Sequence, residues 1–234
     1  MKTFLVVRAG SADPATVARH GDFGRWFEEA LAPHGVVEEV DGTAGRLPPP
    51  GWHAGIVVTG SLASVTEGAP WMRALGAWLV EAARRSQVLG VCFGHQLLGA
   101  ALGARVERNP AGPEMGTVEV TLTPDGLADP VLAGLPPRLP VQQSHFDHVA
   151  AVPPGAVLLA TGAGAPVQAF RHGERLRGVQ FHPEFDAARC RSVCEADRPL
   201  LEPLGAGTTD RALATIRDTP EAASILERWA KLAR

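Results

Sequence analysis

Strand-like and helix-like segments alternate along the first 103 residues, and this alternation limits the possible folds more than any other feature. Short apolar runs with the valine content of buried strands occupy 3–9, 54–60 and 87–91. Apolar residues at helical spacing occupy 23–35, 70–86 and 94–103. Alternating strands and helices with buried strands predict a parallel sheet that helices cover on both faces.

The pattern changes between about 105 and 182, where strands follow one another across short turns. These predicted strands are 117–123, 139–145, 156–161, 167–172 and 175–182. We expect antiparallel additions to the sheet here. The chain is predicted to be helical from Asp186 onward, with Thr219 as the N-cap of a last helix that begins at Pro220. Without repeats or linkers, the pattern predicts a single domain over 1–234, with a core at 1–185 and a helical C-terminal extension at 186–234.

Composition excludes several classes of function. The chain is 45% hydrophobic and 20% charged with a net charge of −3, so we expect neither nucleic acid nor an anionic membrane surface as a partner. No apolar run approaches the ~20 residues that span a bilayer, and the first ten residues do not read as a signal peptide. Three cysteines argue against a disulfide framework, and we expect a cytoplasmic protein. No P-loop or other glycine-rich phosphate motif occurs, so an ATP-dependent synthase half is not expected.

Cys92 lies where a strand pattern meets a helix pattern, in the stretch VLGVCFGHQLLGAALG at 88–103. A strand that turns sharply into a helix exposes the residue at the apex and strains its backbone, and the small neighbours Gly90 and Gly94 relieve the crowding. The helix N-terminus beneath favours the thiolate, which is the reactive form. The motif is typical of a nucleophile elbow; taken by itself, it is also compatible with a buried structural cysteine.

A partner for this thiol occurs in GVQFHPEF at 178–185, where His182 ends a predicted strand and Glu184 follows two residues later. A thiol nucleophile needs an imidazole to take and return its proton, and the imidazole needs a carboxylate to fix its orientation. Pro183 stiffens the segment so that both side chains project to one side, as they do at a strand end. Together with Cys92, the segment predicts nucleophilic catalysis.

Both motifs resemble those of a known enzyme family. GVCFGHQLL resembles the nucleophile motif of class I glutamine amidotransferases, and VQFHPEF resembles their His-x-Glu motif, at the family's typical interval of 90 residues (182 − 92). Four further stretches fall in the family's order: VTGSLASV (58–65), PWMRAL (70–75), NPAGPEMG (109–116) and SHFDHV (144–149). The resemblance covers nearly all of residues 1–185.

Within the family, HGDFGRWF and the helical tail are similar to the stand-alone branch called GMP-synthase-like glutamine amidotransferases, to which plant γ-glutamyl peptidases also look related. The resemblance implies an α/β, flavodoxin-like fold. Its central sheet would be mostly parallel with helices on both faces, antiparallel strand additions and a helical C-terminal tail.

The resemblance also implies a mechanism. A Cys92–His182–Glu184 triad would attack the side-chain amide of glutamine, His182 would protonate the departing ammonia, and water would hydrolyse the γ-glutamyl thioester. The N–H groups of Phe93 and Ser61 would form the oxyanion hole. Many relatives have Gly-Gly-Pro where this chain has residues 60–62 as Gly-Ser-Leu; a serine keeps the N–H donor but restricts a flip of the peptide.

The substrate-binding residues implied by the resemblance are Gly60, Gln96, Ser144 and His145. The amide of Gln96 would face the amino-acid end of glutamine, or would instead cap its own helix. Backbone groups around Ser144 and His145 would hold the substrate's α-groups. Asp147 is expected to orient that loop.

No metal or organic cofactor is expected. Cys190 and Cys194 lie four residues apart on one face of a predicted helix, but no other histidine or cysteine pair completes a tetrahedral set. His95 is interpreted as a packing residue of its helix and not as a second base.

Alternatives from other classes are less favoured. Cysteine-elbow chaperones and glyoxalase-like proteins lack a downstream His-Pro-Glu, and an intact triad argues against a silent regulatory module. Two functions stay open at this point: an ammonia-donating glutaminase subunit with a separate synthase partner, and an independent hydrolase of γ-glutamyl peptides or amides. The helical tail would either dock a partner or cover a sheet edge. The oligomeric state is not set by the sequence.

Overall fold

The fold, taken from a computed structural model, is described for residues 2–233. Its strands are β1 (Thr3–Arg8), β2 (Val36–Asp41), β3 (Gly55–Val58), β4 (Gln87–Val91), β5 (Val106–Arg108), β6 (Glu114–Leu122), β7 (Arg138–His145), β8 (Asp147–Val149), β9 (Ala156–Gly162), β10 (Ala169–His172) and β11 (Leu176–Val179). Its α-helices are α1 (Pro14–His20), α2 (Phe23–Leu31), α3 (Pro70–Ala82), α4 (Phe93–Ala101), α5 (Pro124–Ala128), α6 (Ala187–Ala196), α7 (Arg198–Leu201), α8 (Thr208–Thr215) and α9 (Pro220–Leu232). No helix within 2–233 is long and apolar enough to cross a membrane.

A nine-stranded sheet organises the described part of the chain, in the order β2-β1-β3-β4-β11-β10-β9-β6-β7. The strands from β2 to β11 pair in parallel, and those from β11 to β7 pair antiparallel. Counted along the chain, the five parallel strands have the order 2-1-3-4-5, which is that of flavodoxin-like sheets. The prediction of a mostly parallel α/β sheet with antiparallel additions is confirmed.

Apolar side chains cover both faces of the parallel strands. On one face Phe4 and Leu89 belong to a cluster with residues of α2 and α9, and the ring of Phe4 lies 6.0 Å from that of Trp229. On the other face Ile56 packs with residues of α3 and α4, such as Leu98. The last helix therefore contributes to the core of the sheet. The single-domain boundaries stay a prediction.

Helices α6 and α8 of the extension lie against the antiparallel side of the sheet. Helix α6 packs on β7, which is an edge strand, and α8 packs on β6. This placement favours the interpretation of the tail as a cover for the sheet edge.

The predicted strand at 175–182 is too long. Strand β11 ends at Val179, and His182 lies in the irregular segment that follows. Strand β4 is the parallel neighbour of β11, and beyond Val91 it turns into the elbow. The N–H of Cys92 donates the last bond of this pairing, to Val179 at 2.9 Å, so the ladder has no continuation. The backbone N–H of His182 donates instead to the carbonyl of Gln142 in β7, at 2.9 Å.

Helix boundaries differ from the predictions by a few residues. Helix α3 ends at Ala82 instead of 86, and the helix predicted to end at Gly35 changes after Leu31 to a 3₁₀ turn over 32–34. Thr219 occupies the N-cap of α9 as predicted, but its hydroxyl makes no capping bond within the described chain. Pro220 at the first helical position fixes the start of that helix.

Candidate active site

Cys92 forms the sharp turn between β4 and α4. Its backbone angles are φ 52° and ψ −103°, and within 2–233 no other residue except glycine has a positive φ. Such a conformation costs about 1–3 kcal/mol and persists only where the surroundings enforce it. A Cβ on Gly90 would collide with the carbonyl group of Gly94, and a Cβ on Gly94 would lie 2.6 Å from the carbonyl oxygen of Val58. Both glycines are therefore needed for the close approach of strand and helix beneath the thiol.

His182 and Glu184 form a buried pair beside this turn. The His182 Nδ1 lies 2.7 Å from Glu184 Oε1, and the Glu184 side chain is fully buried. The ring of Phe185 stacks on the imidazole with centroids 4.0 Å apart, and Trp26 meets Phe185 edge to face. The imidazole is thus fixed both by a carboxylate and by an aromatic stack.

The charge state of His182 follows from its surroundings. Burial alone would lower its pKa, but the charges of Glu184 and Cys92, with their hydrogen-bond contributions, raise the pKa to about 10. At neutral pH His182 is therefore an imidazolium. Its Nε2 is buried and has no hydrogen-bond partner of good geometry within 2–233, so this nitrogen is free for the thiol or for a substrate.

Gly60 joins the cysteine and the histidine in space. A Cβ built on this glycine would lie 3.2 Å from His182 Cε1 and 3.9 Å from Cys92 Cβ. On the other side of the thiol, Cys92 Sγ lies 3.6 Å from the carbonyl oxygen of Ser144. The carboxyl ends of β3, β4 and β7 and the segment after β11 thus converge on the thiol.

The loop after β3 is held by hydroxyl groups. The fully buried Thr59 donates its hydroxyl to the Gly60 carbonyl at 2.8 Å, and the hydroxyl of Ser61 accepts from the Ala63 N–H at 3.1 Å. The N–H of Phe93 is the first of α4 and lacks an intrahelical partner. Within 2–233 the N–H groups of Ser61 and Phe93 donate no hydrogen bond.

A cavity of about 380 Å³ opens beside the thiol, and we call it the thiol cavity. Its walls include Ser61 and Phe93 together with Gln96, Ser144 and His145. The helical extension supplies a further wall, made by Val193, Ala196, Asp197 and Leu200. This wall is not predicted by the sequence, because the tail shows only ordinary helical periodicity and its docking against β7 depends on tertiary packing.

Gln96 does not cap its own helix. Its Nε2 donates to the carbonyl of Asp147 at 2.7 Å and lies 3.3 Å from Gln180 Oε1, while the residue lines the thiol cavity. The His145 ring is occupied as well, with Nδ1 2.9 Å from the Asp147 carbonyl oxygen and Nε2 3.1 Å from Glu114 Oε2. Both side chains thus meet the Asp147 carbonyl and hold the segment that follows β7.

Other residues considered in the sequence lie away from the thiol cavity. His95 is fully buried against Phe170, and burial lowers its pKa to about 3, so it is neutral. Cys190 and Cys194 are buried free thiols whose pKa values burial raises to about 12 and about 11. No cluster of metal-ligating side chains occurs within the described residues.

A larger cavity of about 550 Å³ lies at the amino ends of β3, β4 and β11. Its most buried charged groups satisfy one another, since Asp129 pairs with Arg177 at 3.0 Å and with Arg171 at 3.1 Å. Ligands of open parallel sheets bind at the carboxyl ends of the strands. The thiol cavity, and not this one, is therefore the candidate site.

An elbow cysteine beside a carboxylate-oriented imidazole, at the carboxyl edge of a parallel sheet, is an arrangement suited to nucleophilic cysteine catalysis. The family model "Glutamine amidotransferase class-I" matches residues 52–193, which is more than half of the chain. The chain belongs to the class-I glutamine amidotransferase family.

Curated relatives carry the name GMP synthase [glutamine-hydrolyzing]. That of Thermomicrobium roseum is 34% identical over 200 residues, which is 74% of this chain and 36% of the relative. That of Aeropyrum pernix is 40% identical over 136 residues, 56% of this chain and 24% of the relative. In Thermococcus kodakarensis the relative is one subunit of GMP synthase [glutamine-hydrolyzing], 40% identical over 98 residues, 42% of this chain and 50% of the relative. The chain spans about a quarter to a half of the length of these relatives.

Solved structures show the same fold over the whole chain. A glutamine amidotransferase of Thermotoga maritima aligns with a TM-score of 0.77 at 22% identity, over 100% of this chain and 98% of the other. A glutamine amido transferase of Methylobacillus flagellatus aligns with a TM-score of 0.75 at 23% identity, over 100% and 95% of the two chains.

Proposed function

We propose that the chain is a glutaminase that releases ammonia from the side-chain amide of glutamine through a covalent γ-glutamyl thioester on Cys92. The observation that carries the proposal is the arrangement of three side chains. Cys92 stands at a strained elbow, His182 faces it across Gly60, and Glu184 holds the imidazole at 2.7 Å.

In the acylation step the thiol proton resides on His182, consistent with the raised pKa of that imidazole. The sulfur of Cys92 attacks the amide carbon, and a C–S bond forms while the carbonyl electrons move to oxygen. When the tetrahedral intermediate collapses, the C–N bond breaks and His182 gives its proton to the departing nitrogen, which leaves as ammonia.

In the deacylation step the imidazole is neutral and can act as a base. It takes a proton from water, whose oxygen attacks the thioester carbon, and the C–S bond breaks to release glutamate. The proton then lies again between His182 and Cys92, and the site is restored. Glu184 stabilises the imidazolium each time it forms.

The oxyanion of both tetrahedral intermediates would accept hydrogen bonds from Ser61 and Phe93. Their N–H groups are unused within 2–233, and the Thr59 hydroxyl fixes the Gly60 carbonyl, which belongs to the same peptide group as the Ser61 N–H. One such donor lowers a barrier of this kind by about 3–4 kcal/mol.

We further propose that the ammonia serves a separate synthase. Two observations support this. Relatives named GMP synthase without further qualification are about three to four times longer than the stretch they share with this chain. Relatives named as one subunit of that enzyme have the matching part on a shorter polypeptide.

A second candidate is hydrolysis of γ-glutamyl peptides or amides without a partner. The observation that favours it is the apolar rim of the thiol cavity, where the side chains of Leu62 and Leu200 are 67% and 58% exposed. An apolar substituent on the γ-nitrogen would cover these leucines.

The test measures ammonia and glutamate released by the purified chain from glutamine and from γ-glutamyl peptides. Equal amounts of both products from glutamine, absent in Cys92→Ala, are expected for the glutaminase. A much higher kcat/KM for γ-glutamyl peptides would favour the second candidate. Turnover that persists in Cys92→Ala would refute both.

A further inference from the structure

Asp197 brings a carboxylate from the helical extension into the thiol cavity. It follows the last residue of α6, and its Oδ2 lies 3.4 Å from the hydroxyl of Ser144. The carbonyl oxygen of the same serine lies 3.6 Å from Cys92 Sγ. The two oxygens of one serine lie at most about 4 Å apart, so these contacts place the carboxylate within about 11 Å of the thiol.

Within 2–233 no cationic side chain pairs with this carboxylate. Its sequence neighbour Arg198 pairs instead with Glu195, Glu202 and Asp210. The charged group that acts on Asp197 is another carboxylate, Asp13, which also lines the cavity. Burial raises the pKa of Asp197 to about 6; the like charge of Asp13 adds to this rise, and the hydrogen bond from the Ser144 hydroxyl opposes it. The group is therefore still mainly ionised at neutral pH.

The cavity wall also carries a cation, Arg108. Its guanidinium lies 4.3 Å from the centroid of the Phe146 ring, and its Nη1 is 3.9 Å from Asp147 Oδ1. The side chain is 65% exposed, so its remaining donors are free to turn toward a ligand. The cavity thus combines an unpaired anionic site with a cation, beside the nucleophile.

We propose that Asp197 binds the α-ammonium group of the γ-glutamyl substrate, with Arg108 facing its α-carboxylate, together with the backbone groups around Ser144 and His145 that the family resemblance implies for these α-groups. This assignment rests on the proposed function and adds a residue of the helical extension to the substrate site. The dimensions agree. The four single bonds from the amide carbon of glutamine to its α-nitrogen span about 5 Å. Adding about 3 Å for the attacking sulfur and about 3 Å for an ammonium–carboxylate bond gives a reach of about 11 Å.

The experiment uses two chloroketones that alkylate Cys92 and so needs no turnover. One is L-2-amino-5-chloro-4-oxopentanoate, which carries the α-ammonium; the other is 5-chloro-4-oxopentanoate, which lacks it. Second-order rate constants of modification are measured by intact mass for the wild type, Asp197→Asn and the matched control Glu195→Gln. Glu195 lies two residues away, is exposed, and is not part of the cavity wall. Iodoacetamide reports the reactivity of the thiol itself.

We expect the wild type and Glu195→Gln to prefer the amino chloroketone by about tenfold or more, as for one charge-assisted hydrogen bond. Asp197→Asn should lose that preference while its rates with 5-chloro-4-oxopentanoate and iodoacetamide stay unchanged. An undiminished preference in Asp197→Asn, or no preference in the wild type, overturns the assignment. If the rate of Cys92 modification still saturates with chloroketone concentration in either of these two outcomes, the γ-glutamyl site itself stands. If neither chloroketone saturates, the proposed function fails as well.

Discussion

The substitution Glu184→Gln tests how the charge state of His182 is set. It keeps the shape of the side chain but removes the charge that faces His182 Nδ1 at 2.7 Å. Because burial on its own lowers the pKa of this histidine, loss of the carboxylate should leave a neutral imidazole at neutral pH. The variant should then lack the imidazolium that stabilises the thiolate and protonates the leaving ammonia.

The size of the effect follows from the pKa of His182, which lies at about 10 in the folded protein against an ordinary value of 6.5. This difference corresponds to about 5 kcal/mol. It is an upper bound for the effect of Glu184, because Cys92 contributes to the same rise in pKa. Since the folded pKa is raised, the contribution to the free energy of unfolding is fully present below about pH 6.5 and is lost as the pH rises through about 10. The stability difference between wild type and variant should shrink in the same direction.

Two measurements check this prediction. Urea unfolding at about pH 6 and about pH 10 should show a difference between wild type and Glu184→Gln that is several kcal/mol at the lower pH and much smaller at the higher one. Alkylation of Cys92 by iodoacetamide at neutral pH should be slowed at least tenfold in the variant. The exposed Glu195→Gln serves as the control. A stability difference independent of pH, together with unchanged alkylation, would refute the reasoning.

Two further substitutions probe the loop after β3. Gly60→Ala places a methyl group 3.2 Å from His182 Cε1 and should lower kcat for glutamine by about tenfold to a hundredfold with little loss of stability; full activity would show that the approach is not tight. Thr59→Val removes the hydroxyl that bonds the Gly60 carbonyl and accepts from the Ala9 N–H at 3.0 Å. It should lower kcat about tenfold and the free energy of unfolding by about 1–3 kcal/mol, whereas Thr59→Ser should retain both; equal losses in the two variants would contradict a role of the hydroxyl.

The elbow could be predicted from sequence because its determinants are local. Gly90 and Gly94 each lie two positions from Cys92, and a Cβ on Gly90 would collide with the adjoining helix at Gly94. The contact of Gly94 with Val58 of β3 is the one determinant that is not local. The parallel pairing of β1, β3 and β4 likewise follows from alternating buried runs and helices, whereas the flavodoxin-like fold was implied by the family resemblance. Short-range pattern and burial suffice for these features.

Features that depend on packing between distant segments could not be predicted in this way. Strand β11 ends at Val179 because its neighbour β4 turns after Val91. Val91 is the partner of Val179 in the pairing, and it lies 88 positions earlier in the chain. Gln96 reaches the carbonyl of Asp147, and Asp197 enters the cavity only because α6 docks on β7. None of these pairings leaves a trace in local periodicity.

The proposed function depends above all on a γ-glutamyl thioester that forms on Cys92 during turnover. The most direct measurement adds hydroxylamine to the reaction with glutamine, because hydroxylamine intercepts a thioester and yields γ-glutamyl hydroxamate in competition with glutamate. We expect hydroxamate from the wild type and from Cys194→Ala, which removes a different buried thiol, and none from Cys92→Ala. Hydroxamate or glutamate formed at an undiminished rate by Cys92→Ala would contradict the account.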